Sequence, residues 1–451
     1  MVKGDVDKDG LEDIFIGGEK DKGASLFIQK KDGNFIKMKS TIFETAKGSH
    51  DTEAVIFDAN GDGDPDIYVA SGGYHDYSEN DSRLQDRLYF GDGHGNFRVN
   101  EASLPQMWTS KGAVTVLDVN QDGHPDLFVG SRIIPGRYPE IPESYLLVND
   151  GKGNFKNQIR TIAPELEHLG MVTDAIWIDL DRDNNKELVV VGHWMPITVF
   201  KNSSGKLQKE TDLYFDKPYS GWWNTIETGD FNKDGKPDLI VGNLGTNTQF
   251  RPTDEEPAEL YYKDFDKNGS VDPLFCYYIQ GKSYPYLTRD ELLGQLGGLR
   301  STFTSYESYA NATITDIIDP KELSKAGRLT ANHMETTLFL SNEDRIFKVM
   351  ELPEQAQYAP VQTLVVSDFD TDGKEDLILL GNSNNFKLRI GKFDANYGTL
   401  FMGNGNGTFN YMEQKESGLN VSGNVQSAIT IDNTLFLGMS GDLLKTYKLS
   451  K

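Results

Sequence analysis

Short apolar stretches alternate with turns rich in Gly and Asn along most of this chain. One unit recurs: an apolar strand, an acidic loop, a second apolar strand ending in Gly, a variable loop, and a hairpin around a Gly-Asn-Gly-type turn. The unit that starts at Ala113 reads AVTVL, DVNQDGHPD and LFVG, and then YLLVNDGKGNFKN after its variable loop. Apolar strands that reverse at Gly and Asn turns predict antiparallel hairpins.

The repeat predicts a ring of blades. The late hairpins begin near Ser25, Leu88, Tyr145, Ile197, Leu338, Leu400 and Leu443. A four-stranded unit cannot bury both of its faces alone, so units stack, and radial closure protects their edges. We therefore predict an all-β fold, a seven-bladed β-propeller, as a single domain over residues 1–451. An open β-solenoid is the alternative, but its rungs are usually much shorter than about 50 residues.

Both ends of the chain depart from the repeat. The first unit has no inner strand before Asp5, and the last unit, VQSAITIDNTLFLGMS, has no acidic loop. The motif starts within the first few residues, so we expect a truncated chain or a mature fragment. The ring then closes imperfectly or needs residues that precede this sequence.

The period breaks in the fifth unit, where we predict an insertion over approximately 245–337 that is partly helical. One helix is predicted from Arg289, where leucines recur at helical spacing. A second is predicted in DPKELSKAG, with Asp319 as N-cap, Pro320 in the first turn and Gly327 as terminator.

The acidic loops follow D-x-[DN]-x-[DN]-G-x-x-[DE], which predicts metal sites. Acidic side chains on alternate residues converge on one cation, and a left-handed residue at the sixth position returns the ninth residue to it. Asn184 replaces Gly at the sixth position of the fourth loop. A metal-free Asp-Gly turn would explain one or two copies, but not seven. The sixth copy lies inside the insertion and is expected to hold a hairpin there.

All-oxygen ligands in a flexible loop favour Ca²⁺ over Mg²⁺, so up to seven calcium ions are predicted, with a mainly stabilising role. The predicted metal ligands are Asp5, Asp7, Asp9 and Asp13; Asp58, Asn60, Asp62 and Asp66; Asp118, Asn120, Asp122 and Asp126; Asp179, Asp181, Asp183 and Glu187; Asp230, Asn232, Asp234 and Asp238; Asp264, Asp266, Asn268 and Asp272; and Asp368, Asp370, Asp372 and Asp376.

Charge and composition exclude several classes of function. A net charge of −24 argues against binding to nucleic acid or to an anionic membrane. No stretch reaches the roughly 18 apolar residues of a membrane span, so no membrane insertion is expected. The single cysteine, Cys276, lies in the apolar run LFCYY and is predicted to pack in a core. No HExxH, G-x-S-x-G or P-loop motif is present, so no catalytic residue is predicted.

The phrases GDVDKDGLEDIFIGG, VTVLDVNQDGHPDLFVGS and GDFNKDGKPDLIVGN resemble the FG-GAP/VCBS repeat of integrin α-chain propellers and secreted bacterial proteins. The phrases MVTDAIWIDLDRDNNKELVVVGHWMPITVF and SGWWNTIETGDF look like Bacteroidetes surface proteins that pair such repeats with an ASPIC/UnbV domain. That domain is absent from this sequence. The resemblance implies export, calcium and an extracytoplasmic location (secreted, periplasmic or cell surface), but no ligand.

Propeller topology predicts which face binds. Loops after the first and third strands of each blade share one face, so variable loops and between-blade segments gather on the other. Aromatic rings stack on sugar faces while Arg and Asn bind hydroxyls, which predicts a glycan or an extracellular protein segment as ligand. The alternative for the tryptophans is that they fill gaps between blades. The predicted ligand-binding residues are Arg132, Arg137, Trp194, Trp222, Trp223, Asn243 and Arg251.

The leading hypothesis is a binding or adhesion module. The alternative is a polysaccharide-active enzyme of the lyase type, for which His50, His75, His193 and Lys111 are the candidate bases. No acid/base pair is recognisable from their spacing, and a fold does not give a function. An integrin-like adhesion head is a third reading, against which the helical insertion counts.

Overall fold

Seven antiparallel sheets form the blades, and an eighth sheet lies in the insertion. The computed structural model describes residues 1–384 and 391–449. The first three blades are β1 (Val2–Gly4), β2 (Asp13–Ile16), β3 (Ser25–Gln29) and β4 (Phe35–Lys37); β5 (His50–Phe57), β6 (Asp66–Gly72), β7 (Arg87–Gly91) and β8 (Phe97–Val99); and β9 (Ser110–Leu117), β10 (Asp126–Ile133), β11 (Tyr145–Asn149) and β12 (Phe155–Asn157).

The fourth and fifth blades are separated along the chain by β17 (Ser220–Trp222), which pairs with β14. In chain order the strands are β13 (Met171–Ile178), β14 (Glu187–Pro196), β15 (Thr198–Ser203), β16 (Lys206–Lys209) and β17; β18 (Thr225–Gly229) and β19 (Asp238–Gly242); the insertion strands β20 (Ala258–Lys263), β21 (Asp272–Ile279), β22 (Lys282–Pro285) and β23 (Gly327–Ala331); and β24 (Thr337–Leu340) and β25 (Lys348–Met350), which complete the fifth blade.

The last two blades and the helices complete the chain. The strands are β26 (Val361–Ser367), β27 (Asp376–Gly381), β28 (Thr399–Gly403) and β29 (Phe409–Met412), then β30 (Val425–Ile431), β31 (Thr434–Met439) and β32 (Lys445–Lys448). The helices are α1 (Ile159–Ile162), α2 (Arg289–Gln295), α3 (Tyr306–Tyr309), α4 (Ile314–Ile317), α5 (Pro320–Leu323) and α6 (Gln414–Ser417). Short 3₁₀ turns lie at Phe43–Ala46, Ser82–Leu84, Glu101–Ser103, Pro164–Leu166, Thr211–Leu213, Gly297–Ser301 and Glu354–Gln357.

Each blade is a meander whose second strand is buried on both faces by the neighbouring blades. Every residue of β6, β19 and β27 is buried, as their continuous apolar sequences require. In the third blade, β9 and β10 pair with Leu127 opposite Val116, and β10 pairs with β11 with Leu127 opposite Leu147. Bulges interrupt the pairing of the first two strands in several blades, for example between Gly130 and Ser131.

Seven apolar clusters fill the seven junctions between neighbouring blades, so the ring is closed. At the junction of the last and first blades, Ile14 packs with Ile431 and Phe436. The Phe35 and Phe436 rings meet edge to face with centroids 5.3 Å apart. The predicted seven-bladed propeller is confirmed.

Three local predictions at the ends and in the insertion are wrong. The first blade does have an inner strand, because the three residues of β1 pair with β2 from Val2 opposite Phe15. The last blade has three strands in the described residues, and only β32 follows Leu443. The helix capped by Asp319 ends at Leu323, and Gly327 begins β23 instead of terminating the helix.

The insertion forms a sheet of its own, in the order β22-β21-β20-β23, between β19 and β24 of the fifth blade. Helix α2 begins at the predicted residue with a capping box between Thr288 and Glu291, and it packs on this sheet. Cys276 is buried in the same cluster, as predicted. No helix in the described part of the chain combines the length and apolar character of a membrane span.

Candidate metal centres and ligand cavity

All seven acidic loops have one backbone geometry. The first Asp accepts a hydrogen bond from the backbone N–H of the sixth residue at 2.8–3.0 Å in every copy, as in the pair Asp5 and Gly10. The sixth residue has a positive φ, 88° at Gly10 and 67° at Asn184. This left-handed residue makes the turn that brings the ninth residue back toward the first, as the sequence predicted.

The ninth carboxylate of each loop lies at the base of its turn and is at most 2% exposed. It accepts a hydrogen bond from the backbone N–H of the second loop residue at 2.8–3.0 Å, for example from Val6 to Asp13. Burial raises the pKa of Glu187 to about 7. It raises the pKa to about 6 at Asp13, Asp66, Asp126 and Asp238. A buried carboxylate with neighbouring acids is stabilised in its charged form by a cation.

Four loops bring three carboxylates together. The clusters are Asp5, Asp7 and Asp13; Asp179, Asp181 and Glu187; Asp264, Asp266 and Asp272; and Asp368, Asp370 and Asp376. In each cluster the ligand oxygens lie within 4.8 Å of one another. In the first cluster Asp7 Oδ1 is buried and has no hydrogen-bond partner among the described residues. An unpaired buried oxygen among other carboxylates fits a hard cation such as Ca²⁺.

The other three loops carry Asn at the third position, so two carboxylates face one amide there. In the second and third loops the Asn side chain turns toward the acid at position five: Asn60 Nδ2 donates to Asp62 Oδ2 at 2.8 Å, and Asn120 Nδ2 donates to Asp122 Oδ2 at 2.9 Å. The amide oxygen remains a possible ligand. The sequence motif accepts Asp or Asn at the third position, so it predicted the same site in all seven loops. The structure divides them into four loops with three clustered carboxylates and three loops with two.

The ammonium group of Lys201 lies among the acidic side chains of the fourth loop. Its Nζ lies 2.8 Å from Asp183 Oδ2 and 3.8 Å from Glu187 Oε1, and it also contacts Asp181. Burial opposes its charge, but the hydrogen bonds to the two aspartates raise the pKa of Lys201. The ammonium group therefore lies where a bound calcium ion would have to compete with it.

Sequence analysis missed Lys201 because the residue is on β15 and outside the loop motif. In five other blades, one residue at or just after the end of the third strand donates its backbone N–H to the ninth carboxylate of the acidic loop. These donors are Gln29, Gly91, Asn149, Ser341 and Gly403. The residue just before each donor corresponds in position to Lys201, and it is apolar in these five blades: Ile28, Phe90, Val148, Leu340 and Met402. A charged residue in a register that is otherwise apolar was the available signal.

The acidic loops and the late hairpin turns lie on one face, as predicted. Asn149 Nδ2, at the start of the third blade's late turn, donates to Ala59 O in the acidic loop of the preceding blade at 2.8 Å. Asn202 Nδ2 donates to Val119 O in the same way at 2.9 Å. The segments after the second strands, and those between blades, therefore run on the opposite face.

A cavity of about 370 Å³ opens on that opposite face, between the ring and the insertion sheet. The variable loops of the third to sixth blades, the segments around Asn224 and Pro360, and the insertion all contribute to its wall. The residues that line it are Arg132, Tyr138, His193, Trp194, Trp222, Asn224, Leu244, Phe250, Leu260, Pro273, Phe275, Tyr286, Leu287, Pro360, Gln362, Ser383 and Phe393.

Aromatic rings form much of the cavity wall. The Trp194 and Trp222 rings meet edge to face with centroids 4.9 Å apart, and Phe275 lies 5.6 Å and 5.7 Å from them. Trp194 has a φ of 60°, a strained conformation for a bulky residue that occurs preferentially at functional sites. The Trp222 Nε1 atom is buried and has no hydrogen-bond partner within the described residues.

Two basic side chains lie among these rings. Arg132 makes no hydrogen bond or ion pair with the residues that the structure describes, so its guanidinium is available to a ligand. His193 lies 3.0 Å from Asn224 Oδ1 through Nε2. Burial, and then the charge of Arg132, lower the pKa of His193 to about 3, so its ring is neutral near pH 7.

The structure brings Arg132, Trp194 and Trp222 together and places the other four predicted ligand residues elsewhere. Trp223 is completely buried in the core between blades four and five, where its Nε1 donates to Tyr219 O at 3.0 Å. It fills a gap between blades, which was the alternative reading. Asn243 is also buried, and its Oδ1 accepts from the backbone N–H of Trp222 at 3.1 Å, so it positions that residue.

Arg137 and Arg251 lie outside the cavity wall. Arg137 forms an ion pair with Glu140, which is three residues further along the same loop. Arg251 donates to Phe250 O at 2.7 Å. Both guanidinium groups therefore bind groups from their own segments.

The candidate bases of the enzyme hypothesis are dispersed. Lys111 is 1% exposed and its Nζ donates to the backbone oxygens of Leu84 and Met107 at 2.6 Å, so no substrate reaches it. His50 and His75 lie on the second blade, away from the cavity lining. His193 is in the cavity, but its low pKa makes it a weak base.

Comparison with known proteins identifies the repeat. The FG-GAP-like repeat model matches residues 5–69, 58–129 and 179–241. Phosphatidylinositol-glycan-specific phospholipase D of Mus musculus is 22% identical over 396 residues, which are 77% of this chain and 45% of that protein. The chain thus spans less than half the length of this curated relative.

Two solved structures align with most of the chain. The V. cholerae biofilm matrix protein Bap1 is 12% identical with a TM-score of 0.40, covering 100% of this chain and 87% of its own. Rhamnogalacturonan lyase YesW is 11% identical with a TM-score of 0.32, covering 94% and 74%.

The sheets and loops together define a class: a seven-bladed β-propeller with FG-GAP-like repeats and four acidic clusters consistent with calcium sites. The matched repeats lie in the first three blades and across the fourth and fifth.

Proposed function

We propose that this protein is a calcium-stabilised binding module that acts outside the cytoplasm and holds a glycan in the aromatic cavity. The observation that carries the proposal is the grouping of Trp194, Trp222 and Phe275 with Arg132, which has no partner among the described residues. Aromatic rings stack on the apolar faces of sugars, and a guanidinium fork binds hydroxyls or carboxylates. The cavity volume of about 370 Å³ falls within the range of small-molecule sites.

In this proposal all seven acidic loops bind calcium and the ions stabilise the blades. The loops lie on the face away from the cavity, so the ions hold the scaffold and do not contact the glycan. Loops of this type that bind in the 10⁻⁴–10⁻³ M range are suited to the calcium concentrations outside cells. This agrees with the extracytoplasmic location that the sequence resemblance implies.

Binding to a glycan array tests the cavity. The variants Trp222→Ala and Arg132→Ala are expected to lose most of the binding signal, because they remove a stacking surface and the guanidinium group of the cavity. The matched controls are Tyr411→Ala on β29 and Arg98→Ala on β8, an aromatic and an arginine far from the cavity. Melting temperatures of Arg132→Ala and the two controls should stay close to that of the parent protein, whereas Trp222→Ala also loses packing against Trp194 and Phe275 and should melt lower while remaining folded.

Unchanged glycan binding by folded Trp222→Ala and Arg132→Ala proteins would refute the site. A signal with extracellular proteins and none with glycans would replace the glycan by a protein ligand. Formation of unsaturated uronates from pectin, alginate or glycosaminoglycans, followed by ultraviolet absorbance, would favour the lyase alternative over binding.

A further inference from the structure

A second cavity, of about 810 Å³, lies within the insertion and is not explained by the proposal above. The β21–β22 hairpin forms one wall, and the start of helix α2, helix α3 and residues 310–312 after it form the other. Tyrosines dominate its lining: Tyr277, Tyr284, Tyr286, Tyr306 and Tyr309. Tyr306 is 66% exposed and Ile279 is 45% exposed, so both side chains are open to a ligand.

The two cavities share one wall, to which Tyr286 and Leu287 contribute on both sides. A row of rings crosses this wall. Centroid distances are 5.7 Å from Trp222 to Phe275, 5.5 Å from Phe275 to Tyr286 and 6.0 Å from Tyr286 to Tyr277. Since Tyr286 and Leu287 line both cavities, the cavities are adjacent, and one chain-like ligand can reach both by passing over this shared edge.

The charge of the two linings differs from that of the whole protein. The chain carries a net charge of −24, yet the described lining residues include Arg132, Lys282 and Arg289 and no Asp or Glu. Arg289 is compensated by Asp290, which its guanidinium contacts at 2.7 Å. Lys282 is exposed and forms no ion pair in the described part of the chain, and the nearest charge acting with it is that of Asp316 on α4. Arg132 and Lys282 therefore each line a cavity without a direct carboxylate contact among the described residues.

We infer that the two cavities form one extended groove for an acidic polysaccharide, with Arg132 and Lys282 each facing an anionic group of the chain. This inference rests on the proposed function for the first cavity and adds the class of the ligand and a second subsite. The tyrosines of the insertion supply stacking surfaces for further sugar rings. The two cations favour uronate or sulfated sugars over neutral ones.

Titration calorimetry at low ionic strength tests the groove. The probes are oligogalacturonates of increasing length and neutral galacto-oligosaccharides of matched length, with alginate and heparin fragments as further acidic probes. The affinity of the parent protein for an acidic probe is expected to rise with length beyond the first cavity. It should fall as salt is added, because screening weakens the ionic contacts.

Variants of the second cavity separate it from the first. Lys282→Glu and Tyr306→Ala are expected to weaken binding of long acidic probes by about fivefold each, and to leave the shortest probes unaffected. Lys321→Glu on α5 is the matched control, since Lys321 is exposed in the same insertion but lines neither cavity. All three positions are exposed, so the variants should fold normally.

Each outcome has a distinct meaning. If Trp222→Ala abolishes binding while Lys282→Glu and Tyr306→Ala bind long probes like the parent, the groove is refuted and the proposed function stands. If neutral probes bind as tightly as acidic ones, the anionic ligand is refuted. If no acidic probe binds, or if acidic peptides bind and glycans do not, the inference is overturned.

Discussion

The first and fourth acidic loops share a motif and a backbone geometry, but they differ in the cation that the protein itself provides. In the first loop Asp7 Oδ1 is buried without a partner in the described residues. In the fourth loop Lys201 contacts three of the four acidic side chains. The motif therefore specifies a cluster of carboxylates, and residues outside the motif decide what neutralises it.

The difference has an energetic consequence. Calcium entering the first loop meets carboxylates that have no ammonium partner in the described residues, whereas calcium entering the fourth must first displace an ammonium group that is hydrogen-bonded to two of the ligands. Charge-assisted hydrogen bonds are each worth about 1.5–3 kcal/mol. We therefore expect the fourth loop to bind calcium more weakly than the first.

Removal of calcium should have the largest effect, because it acts on every loop that binds the ion. At free calcium 100-fold above the dissociation constant, each occupied site adds about 2.7 kcal/mol to the free energy of unfolding. Melting temperature, measured by calorimetry before and after chelation, should fall by many degrees and recover when calcium is restored.

Magnesium is the control for this experiment, since it demands a tighter octahedral site and should restore little of the loss. A melting temperature that is the same with chelator, calcium and magnesium would contradict the role assigned to the loops.

Lys201→Gln should have an intermediate effect: it should lower stability without calcium and raise the calcium affinity of the fourth loop. Without calcium the variant should be less stable than the parent, because the fourth loop loses the ammonium group that bonds two of its acids and keeps only the more distant Arg345, 3.7 Å from Asp181 Oδ2, among the cations of the described residues. With calcium the loop should bind roughly tenfold more tightly or better, since the ion no longer competes with the lysine. The gain in melting temperature on adding calcium should therefore be larger for the variant.

The control is Lys8→Gln, which removes a lysine that bonds Asp64 and Gly63 O between the first two blades and contacts no ninth-position carboxylate among the described residues. An equal calcium response in the Lys201→Gln variant and the parent would show that the lysine does not compete with the ion.

Asn120→Asp should have the smallest effect. It converts the third loop to the three-carboxylate pattern of the first and removes the hydrogen bond from Asn120 Nδ2 to Asp122. We expect tighter calcium binding by about 0.5–1 kcal/mol, read as a shift in the calcium concentration at half saturation. Asp7→Asn, the reverse change in the first loop, should shift it the other way, and two shifts of the same sign would contradict the comparison.

The sequence was sufficient to predict the repeat and the loops because both depend on short-range patterns. Alternating apolar strands, Gly turns and acids at fixed spacing act within about a dozen residues. The hairpin held by Asp264 and the start of helix α2 at Arg289 were predictable for the same reason.

The features that sequence analysis missed depend on contacts between distant segments. Lys201 reaches the fourth loop from β15, and Phe275 and Tyr286 reach the cavity from the insertion. Trp222 and Trp223 are adjacent in the sequence, and nothing in the sequence distinguishes their environments. Only the packing shows that Trp222 lines the cavity while Trp223 lies in the core. The position of the insertion over the ring determined the cavity, and no local pattern encodes that position.

The most direct test of the account is an anomalous-difference map from crystals grown in saturating calcium. We expect a peak enclosed by Asp5, Asp7 and Asp13, and a weaker peak beside Lys201 in the fourth loop. A map without a peak at the first loop would contradict the assignment of these carboxylates as calcium ligands.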